Sequence, residues 1–317
     1  MKTIKTTTMN QDNLLKEIIE KYQQMGENPL TYLKGLYYSK PITYWDYIET
    51  DTLLSLQKPR TNYKDEEAFI LYNQITELLL KLILIEIKQI TGDNNPSEEL
   101  IIKKLTRANN YTQLLIAFFK SMKEGINYED YNEFRYTLTP ASGFQSAQFR
   151  YIELYCTRIE NLINEEGKKR LSSKSTIKEC FDVIYWKDAG VNKNTGEKTY
   201  TLQQFEEKYL ESFITLAKKI KGKTLEDKIQ RIANPSHELC HKLREFDQLY
   251  NIEWPLVHLD IAKHFLDKKG ENKTSTGSSE WKKYLHPKFQ RRRFFPALWS
   301  ETEKDNWGIL NHKTTLL

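Results

Sequence analysis

A long apolar stretch near the start of the chain, EEAFILYNQITELLLKLILIEIKQIT, constrains the fold more than any other feature. It predicts one helix from about Asp65 to Thr91, with Gly92 as its C-cap. The second half is apolar on nearly every side, which is typical of a helix that neighbours bury all round. The most apolar part contains Lys81 and Glu86 and is too short to span a bilayer. We therefore expect a helical core rather than a membrane anchor.

The rest of the chain has helical periodicity and few breaks. Gly and Pro are sparse, at 12 and 9 residues, and no run of short alternating strands is present. VNKNTGEKTY predicts a small irregular or hairpin insertion around residues 187–201. We expect a single all-α domain over residues 1–317, a bundle with a core deep enough for a cofactor. Helices are predicted near residues 11–25 and 65–91, then one capped by Ser97 and a further one that ends at Gly125, and near residues 143–166, 202–221, 236–249 and around 258.

Composition limits the function classes. Hydrophobic residues make up 39% and charged residues 29%, as in soluble globular proteins. The net charge of +5 is mild and the only run of three arginines is at 291–293, which argues against nucleic-acid binding. Three cysteines without CxxC spacing favour reduced thiols, and MKTIKTTTMNQDN lacks the apolar core of a signal peptide. These features predict a cytoplasmic protein that binds neither nucleic acid nor membrane.

The stretch from Phe134 to Arg150, FRYTLTPASGFQSAQFR, carries the clearest chemical signal. Arg135 stands beside a Pro-Ala-Ser-Gly turn, and Tyr131 precedes it by one helical turn, on the same face. The planar guanidinium fork holds a carboxylate through two parallel hydrogen bonds. The segment therefore predicts a binding site for a small acid at a helix junction, although a lone arginine is more often a surface residue.

Two other positions are open between structural and functional interpretations. Asn73 lies one turn after Phe69 on the long helix, where a buried amide is either a pocket residue or a structural hydrogen-bonding group. His258 lies one turn after Trp254 on an apolar segment. From the residues alone, a core histidine is favoured over a haem axial ligand, whose other ring nitrogen would need a partner.

A literal HExxH occurs from His237 to His241. In metalloproteases this pattern places two zinc ligands and a general base on one helical face. Here the first histidine falls in an opening turn, the flanks are polar and no third ligand follows at the usual spacing. We interpret it as a solvated helix face and a coincidence, and the residues alone assign no role to His264.

The Phe134–Arg150 segment resembles the FRxxLxPASGFQSxQFR signature of the tryptophan 2,3-dioxygenases almost position for position. Trp254 and His258 match the WxxxH segment of that family, and STGSSEW is a glycine-poor form of its GTGGSSG loop. RRRFFPALW is similar to its C-terminal RFFxxLW-like stretch. The resemblance extends from about Tyr44 to Trp299 and implies a helical bundle that encloses a haem pocket.

The same resemblance also marks departures from the family. On the long helix the family has HDExxFIxxHQxxEL, in which Phe69 matches the aromatic residue that lies against the substrate indole. Asn73 replaces the distal histidine that hydrogen-bonds the indole N–H, and Lys64 replaces the histidine of HDE. Pro255 follows Trp254 where an arginine is common, so the histidine-bearing helix is expected to start or kink there.

By the resemblance, the site contains catalytic, substrate-binding and cofactor-binding residues. Asn73 and Ser142 are the catalytic positions, Ser142 lying near the haem and dioxygen, and His258 is the axial ligand of the haem iron, beside Trp254. Arg135 grips the substrate carboxylate and Thr276 contacts the amino-acid head group. The residues that contact the rest of the substrate are Phe69, Tyr131 and Leu138, together with Tyr44 and Tyr47, which reach across from a neighbouring subunit.

The implied activity is that of a haem b enzyme, active as Fe²⁺, which inserts O2 across the indole C2–C3 bond. Its substrate would be L-tryptophan or a close derivative, and its product of the N-formylkynurenine type. The resemblance also implies a homotetramer in which an N-terminal helical extension, residues 1–40, packs on a neighbouring subunit. Two alternatives stay open: a haem-dependent monooxygenase of a modified tryptophan, giving a hydroxylated or 2-oxindole product, and a non-catalytic haem-binding protein.

Overall fold

The computed structural model describes residues 10–138, 146–172, 175–192, 195–267 and 281–309. Every regular element in these ranges is a helix, and β-type pairing there is limited to the isolated bridges Ile163–Ile184 and Val191–Lys198. The prediction of an all-α fold is therefore confirmed. The chain divides into two compact units, Met1–Leu56 and Gln57–Leu317.

The first unit consists of short amphipathic helices, and none of their residues is buried. Asn10 caps the first of them by accepting a hydrogen bond from the Asn13 N–H at 2.9 Å, which confirms the helix predicted near residues 11–25. Large apolar side chains are exposed here, including Tyr37 at 81% and Tyr38 at 79%. The helices of this unit are α1 Gln11–Gln24, α2 Pro29–Tyr38, α3 Tyr44–Tyr47 and α4 Thr50–Leu54.

The second unit contains the long helices and several short ones. Its α-helices are α5 Asp65–Gly92, α6 Glu98–Lys120, α7 Met122–Gly125, α8 Tyr128–Phe134, α9 Ala147–Cys156, α10 Glu165–Arg170, α11 Ile177–Asp182, α12 Tyr200–Ile220, α13 Leu225–Ile229, α14 His237–Gln248, α15 Trp254–Asp267, α16 Trp281–Leu285, α17 Pro287–Gln290 and α18 Glu301–Asp305. Short 3₁₀ helices occupy Arg135–Leu138, Ile159–Leu162, Tyr185–Gly190 and Pro296–Leu298, and a π-helical turn occupies Leu249–Glu253.

The main core forms where α5 packs along α6 and α9, with α14 against α6. The expectation that α5 is buried on every side is wrong: Leu78 is 51% and Leu82 40% exposed. By length and composition α5 could cross a membrane, and it is the one helix in the described ranges that could. Its buried face carries Glu86, which pairs with Lys104 at 2.9 Å, so α5 is a helix of the protein core.

A second core surrounds α11, α12 and the Tyr185–Gly190 turn. Its buried members include Phe181, Trp186 and Phe213. The predicted insertion at residues 187–201 borders this core. Apart from two residues outside the described ranges, it forms an irregular excursion closed by the Val191–Lys198 bridge. A small irregular insertion is thus confirmed.

The helix predicted from residue 143 to about 166 is interrupted. Of that stretch, residues 143–145 lie outside the described ranges, and α9 ends at Cys156. The Thr157 Oγ1 and the Arg158 N–H both donate to the Glu226 carboxylate, at 2.8 and 3.0 Å. These side-chain and backbone bonds to another element replace the continuation of the helix, which periodicity alone could not reveal.

By contrast, α14 and α15 join into one rod through the π turn Leu249–Glu253. The expected irregularity at Pro255 takes this form rather than a new helix start. Proline has no N–H and its ring collides with the carbonyl four residues earlier. Inserting one residue into the turn relieves that conflict, and the rod then carries Trp254 and His258 onward.

Candidate functional site

Four aromatic rings from three helices form one cluster, called here the aromatic wall: Phe69, Tyr131, Phe134 and Phe265. The Phe69 ring lies 5.8 Å from Tyr131 and 5.4 Å from Phe134, centroid to centroid. Phe265 of α15 lies 4.3 Å from Tyr131. Tilted and edge-on rings at these distances attract beyond simple area burial. The wall therefore joins the start of α5 and the second half of α8 to the end of α15.

Arg135 begins the 3₁₀ turn that follows α8 and is only 5% exposed. Its guanidinium carbon lies 5.6 Å from the Tyr136 ring. Burial raises the pKa of Tyr131, and the positive charge of Arg135 acts against that shift, so guanidinium and phenol share one environment. Leu138 ends the same turn, half-buried. The predicted pairing of Tyr131 with Arg135 is therefore present.

Hydrogen bonds fix the start of α5 against this turn. The Asp65 carboxylate accepts from the Asn127 N–H at the start of α8, and Arg60 Nη1 donates to the Thr137 carbonyl at 3.4 Å. Glu66 is buried and accepts from the Arg60 N–H at 3.0 Å. These bonds set how α5, with Phe69 and Asn73, meets α8. Lys64, just before α5, is exposed.

Asn73 lies on the exposed side of α5, one turn after Phe69. Its Nδ2 donates to the Phe69 carbonyl oxygen at 2.8 Å. A carbonyl oxygen only accepts, so the amide nitrogen must face it and the amide oxygen must point elsewhere. Asn73 therefore presents an acceptor, and an amide does not take up a proton at neutral pH.

His258 lies half-buried between aromatic rings on α15. Phe119 stands edge-on at 5.4 Å and Trp254 at 6.2 Å between centroids. Burial lowers the pKa of His258 to about 4, so the imidazole is neutral at pH 7. No residue in the described ranges hydrogen-bonds this ring. A neutral imidazole in apolar surroundings with its nitrogens uncommitted fits the donor that haem iron takes from a protein.

Sequence comparison bears on this arrangement. The model of the family described as tryptophan 2,3-dioxygenase matches residues 36–234, which include Phe69, Asn73, Tyr131 and Arg135. This chain belongs to the tryptophan 2,3-dioxygenase family. A tryptophan 2,3-dioxygenase of Geobacillus thermodenitrificans is 26% identical over 295 residues, covering 87% of this chain and 98% of that protein. One from Bacillus anthracis is 25% identical over 292 residues, covering 86% and 96%. Tryptophan 2,3-dioxygenase 2 of Ralstonia nicotianae is 37% identical over a shorter stretch of 126 residues, 36% of this chain and 34% of that protein.

The aromatic wall and its neighbours do not account for every predicted site residue. Tyr44 and Tyr47 belong to α3 of the first unit and are 74% and 75% exposed. Ser142 and Thr276 lie outside the described residues. His237 is exposed in the first turn of α14, and the described part of the chain contains no group of three or more His, Cys, Asp or Glu side chains arranged to hold a metal ion.

Sequence reasoning missed three rings of this tryptophan 2,3-dioxygenase family member. Phe265 had a signal, because it follows His258 by seven residues, or two helical turns on one face. Phe134 had a weaker one, as the first residue of the signature. Phe119 had none, because nothing in the α6 sequence indicates that its ring meets α15.

Proposed function

We propose that this protein is a haem-dependent dioxygenase of L-tryptophan or a close derivative, inserting O2 across the indole C2–C3 bond to give an N-formylkynurenine-type product. The observation that supports it most is the buried Arg135 beside the aromatic wall. An aromatic amino acid needs both a cation for its carboxylate and a flat apolar surface for its ring. Family membership and relatives named tryptophan 2,3-dioxygenase over most of their length support the same activity.

In this proposal the protein chiefly orients the substrate. Arg135 holds the carboxylate through two parallel hydrogen bonds, and the rings of Phe69 and Tyr131 hold the indole. Because the guanidinium is buried, water does not compete for the carboxylate and the hydrogen bonds are stronger than at a surface. Leu138 adds apolar lining at the end of the turn.

His258 is the proposed axial ligand of haem b, with Trp254 and Phe119 packed around its ring. When bound in the ferrous state, the haem supplies the centre at which O2 is activated. His258 needs no deprotonation before binding iron at pH 7, because its imidazole is already neutral. The aromatic surroundings also exclude water from the ligand.

Further residues complete the proposal. Ser142 acts near the haem and dioxygen, and Thr276 contacts the amino-acid head group. Tyr44 and Tyr47 reach the site of a neighbouring subunit in a homotetramer, on which residues 1–40 pack. We propose a cytoplasmic protein that binds neither nucleic acid nor membrane.

The test is anaerobic reconstitution with haem, followed by addition of O2 and L-tryptophan. We expect the absorbance of N-formylkynurenine to rise and the product mass to show a gain of two oxygen atoms. His258→Ala should lose the histidine-ligated haem spectrum and the activity together. A wild-type protein that binds haem through His258 but forms no product with any indole amino acid would contradict the proposal and favour a haem-binding protein.

Asn73 supports a second candidate, the insertion of a single oxygen atom into a modified tryptophan. Its Nδ2 is held by the Phe69 carbonyl, so its amide oxygen accepts a hydrogen bond from the indole N–H but takes no proton from it. If ring cleavage requires removal of that proton, the product is a hydroxylated or 2-oxindole species, and the second oxygen atom of O2 leaves as water with two electrons from an external reductant.

Replacing the amide separates the two candidates. Asn73→His restores a group that both accepts and takes up protons. If single insertion is the native reaction, the variant should shift the product mass from one added oxygen towards two. If wild type already adds two, the amide suffices, and identical kinetics and products of the two proteins across tryptophan analogues would exclude a role for Asn73 in substrate choice.

A further inference from the structure

The π turn at Leu249–Glu253 leads directly into the segment that carries His258. In this turn the Trp254 N–H donates to the Leu249 carbonyl, five residues back. A regular α-helix would direct it to the Tyr250 carbonyl, four residues back. The turn thus contains one residue more than an α-helical turn would, a feature that is frequent at functional sites.

The extra residue decides where His258 faces. Each residue of an α-helix turns the chain by about 100°. Without the inserted residue, every side chain after the turn would be rotated by that angle relative to α14. Trp254, Phe265 and His258 would then leave the faces on which they meet Phe119 and Tyr131.

Asn251, inside the turn, is held by buried partners. Its Nδ2 donates to Asp247 Oδ1 at 2.6 Å, one turn earlier on α14. The Asp247 carboxylate also accepts from the N–H groups of Phe294 and Phe295, at 2.8 and 3.2 Å, and from Trp299 Nε1 at 2.8 Å. Asp247 therefore fixes the C-terminal segment onto the end of α14 just before the π turn.

Arg292 fixes the π turn at a second point. Its Nε donates to Asn251 Oδ1, and its Nη2 lies 3.4 Å from the Tyr250 carbonyl. In an α-helix, the Tyr250 carbonyl would accept a hydrogen bond from the Trp254 N–H. In the π turn, the Arg292 guanidinium contacts this carbonyl instead. Its Nη1 donates to Glu153 Oε1 of α9 at 2.7 Å and to the Tyr185 hydroxyl.

The members of this network are buried. Arg292 is 3% exposed, and its partners Glu153 and Asn251 are 1% exposed each. Arg150 also donates to Glu153, at 3.1 Å, so two guanidinium groups meet the Glu153 carboxylate, while Asp247 joins the network through Asn251. A buried ionic network is weak evidence for stability, but it fixes one geometry strongly, since each broken link leaves a buried charge without its partner.

We propose that Arg292 and Asn251 are positioning residues for His258: they hold the π turn and so fix the direction in which the imidazole faces the cofactor. The inference rests on the proposed role of His258 as axial ligand. Neither residue touches the imidazole, so both act through the helix. The RRRFFPALW segment, which the proposed reaction leaves without a role, thereby gains one.

Two variants test the proposal on full-length protein. Asn251→Ala removes the link inside the turn and leaves the charges in place. Arg292→Lys keeps the charge but loses the planar fork that reaches Asn251 and Tyr250 together. We expect both to weaken haem binding by about 10-fold to 100-fold and to change the iron–histidine stretching frequency of the ferrous form. In the apo-protein, both should speed amide hydrogen exchange at residues 249–258.

Glu206→Gln is the matched control. Glu206 is buried in the second core and pairs with Lys187 at 2.5 Å, so this variant also breaks a buried ion pair. It should lower the Tm without changing haem affinity, the iron–histidine frequency or exchange at 249–258. If Asn251→Ala and Arg292→Lys behave like this control, the network is merely structural and the proposal is wrong.

Failure of the proposed function would look different. A wild-type protein whose haem uptake and spectrum match those of His258→Ala would overturn the axial-ligand role. The exchange measurement would then decide by itself whether the network holds the turn. Faster exchange at 249–258 in both variants supports the hold, and unchanged exchange overturns it.

Discussion

The two proposed functional regions of the second unit differ in how the chain builds them. Tyr131, Phe134 and Arg135 come from one short stretch and need only Phe69 and Phe265 from elsewhere. The direction of His258 depends, by our inference, on Arg292, whose partners Asn251 and Glu153 lie 41 and 139 residues away. In the proposed function, recognition of the amino acid is therefore encoded locally, and orientation of the cofactor ligand is encoded by the whole chain.

This difference predicts two kinds of mutational effect. Changes at Arg135 should alter substrate binding in a protein that stays folded, because the turn is short and its backbone is supported by Arg60 and Asp65. Changes in the network around Arg292 should alter stability and haem ligation together, since the same bonds close the core.

The largest effect is expected at Arg135. Arg135→Lys keeps the charge but loses the bidentate hydrogen bonding to the substrate carboxylate. Losing a buried, hydrogen-bonded charge contact costs about 3 kcal/mol, which corresponds to a weakening of about 100-fold in binding of L-tryptophan. Substrate-induced changes in the haem spectrum would measure the affinity, and thermal unfolding should change little.

A ligand and a second variant control this prediction. Tryptamine lacks the carboxylate, so wild type and Arg135→Lys should bind it equally. Arg60→Lys changes a neighbouring arginine whose Nη1 only reaches the Thr137 carbonyl at 3.4 Å, and it should leave tryptophan affinity nearly unchanged. An equal loss of affinity for tryptophan and tryptamine would contradict the carboxylate role of Arg135.

An intermediate effect is expected at Phe265, the ring that connects the two regions. It is 1% exposed and lies 4.3 Å from Tyr131 on the helix that carries His258. Phe265→Leu should cost about 1 to 2 kcal/mol of stability through lost packing. It should also reduce kcat/KM by roughly 10-fold, about 1.4 kcal/mol, because the aromatic wall loses its contact with α15.

Phe213→Leu separates packing from function. Phe213 is fully buried in the second core, where its ring lies 4.9 Å from Tyr151. This variant should lower the Tm as much as Phe265→Leu and leave kcat/KM unchanged. A similar loss of kcat/KM in both variants would mean that the reaction responds to general destabilisation, and the bridging role of Phe265 would be withdrawn.

The contrast also explains what the sequence could reveal. Periodicity and capping residues predicted most helices, because these signals act within a few residues; Ser97 does cap α6, accepting from the Leu100 N–H at 3.2 Å. Arg135 and Tyr131 were predictable as a pair for the same reason. The interruption of the helix after Cys156 was not, because its cause is Glu226, whose carboxylate takes the Thr157 hydroxyl.

The candidate site likewise has local features that the sequence indicates and long-range features that it does not. The spacing after Trp254 identified His258 as a candidate. The surroundings of its ring could not be predicted, since Phe119 comes from α6. The π turn was foreseen only as an irregularity at Pro255. Asp247 and Arg292 hold this turn. Their contacts exist only because the C-terminal segment folds onto α14, which the sequence does not indicate. Long-range polar contacts leave no periodic trace in a sequence.

The smallest effect is expected at Glu303, through which the C-terminal segment pairs with α14. Arg244 of α14 donates to Glu303 Oε1 at 2.5 Å and to the Leu298 carbonyl at 2.6 Å, and this pairing is the main cause that lowers the pKa of Glu303 to about 2. A lowered carboxyl pKa stabilises the fold above the unfolded value of 4.5, and the stabilisation is lost as the pH falls from there towards 2. Because the Glu303 side chain is 29% exposed, solvent screens the pair and the contribution is about 1 kcal/mol. Glu303→Gln should thus lower the free energy of urea unfolding by that amount at pH 6, and the difference from wild type should shrink below pH 4.5.

Glu301→Gln, at a side chain 85% exposed, should show no such difference. A gap that stays constant down to pH 3 would mean that the ion pair contributes nothing, and that the C-terminal segment is held from inside, by Asp247 and Arg292, alone.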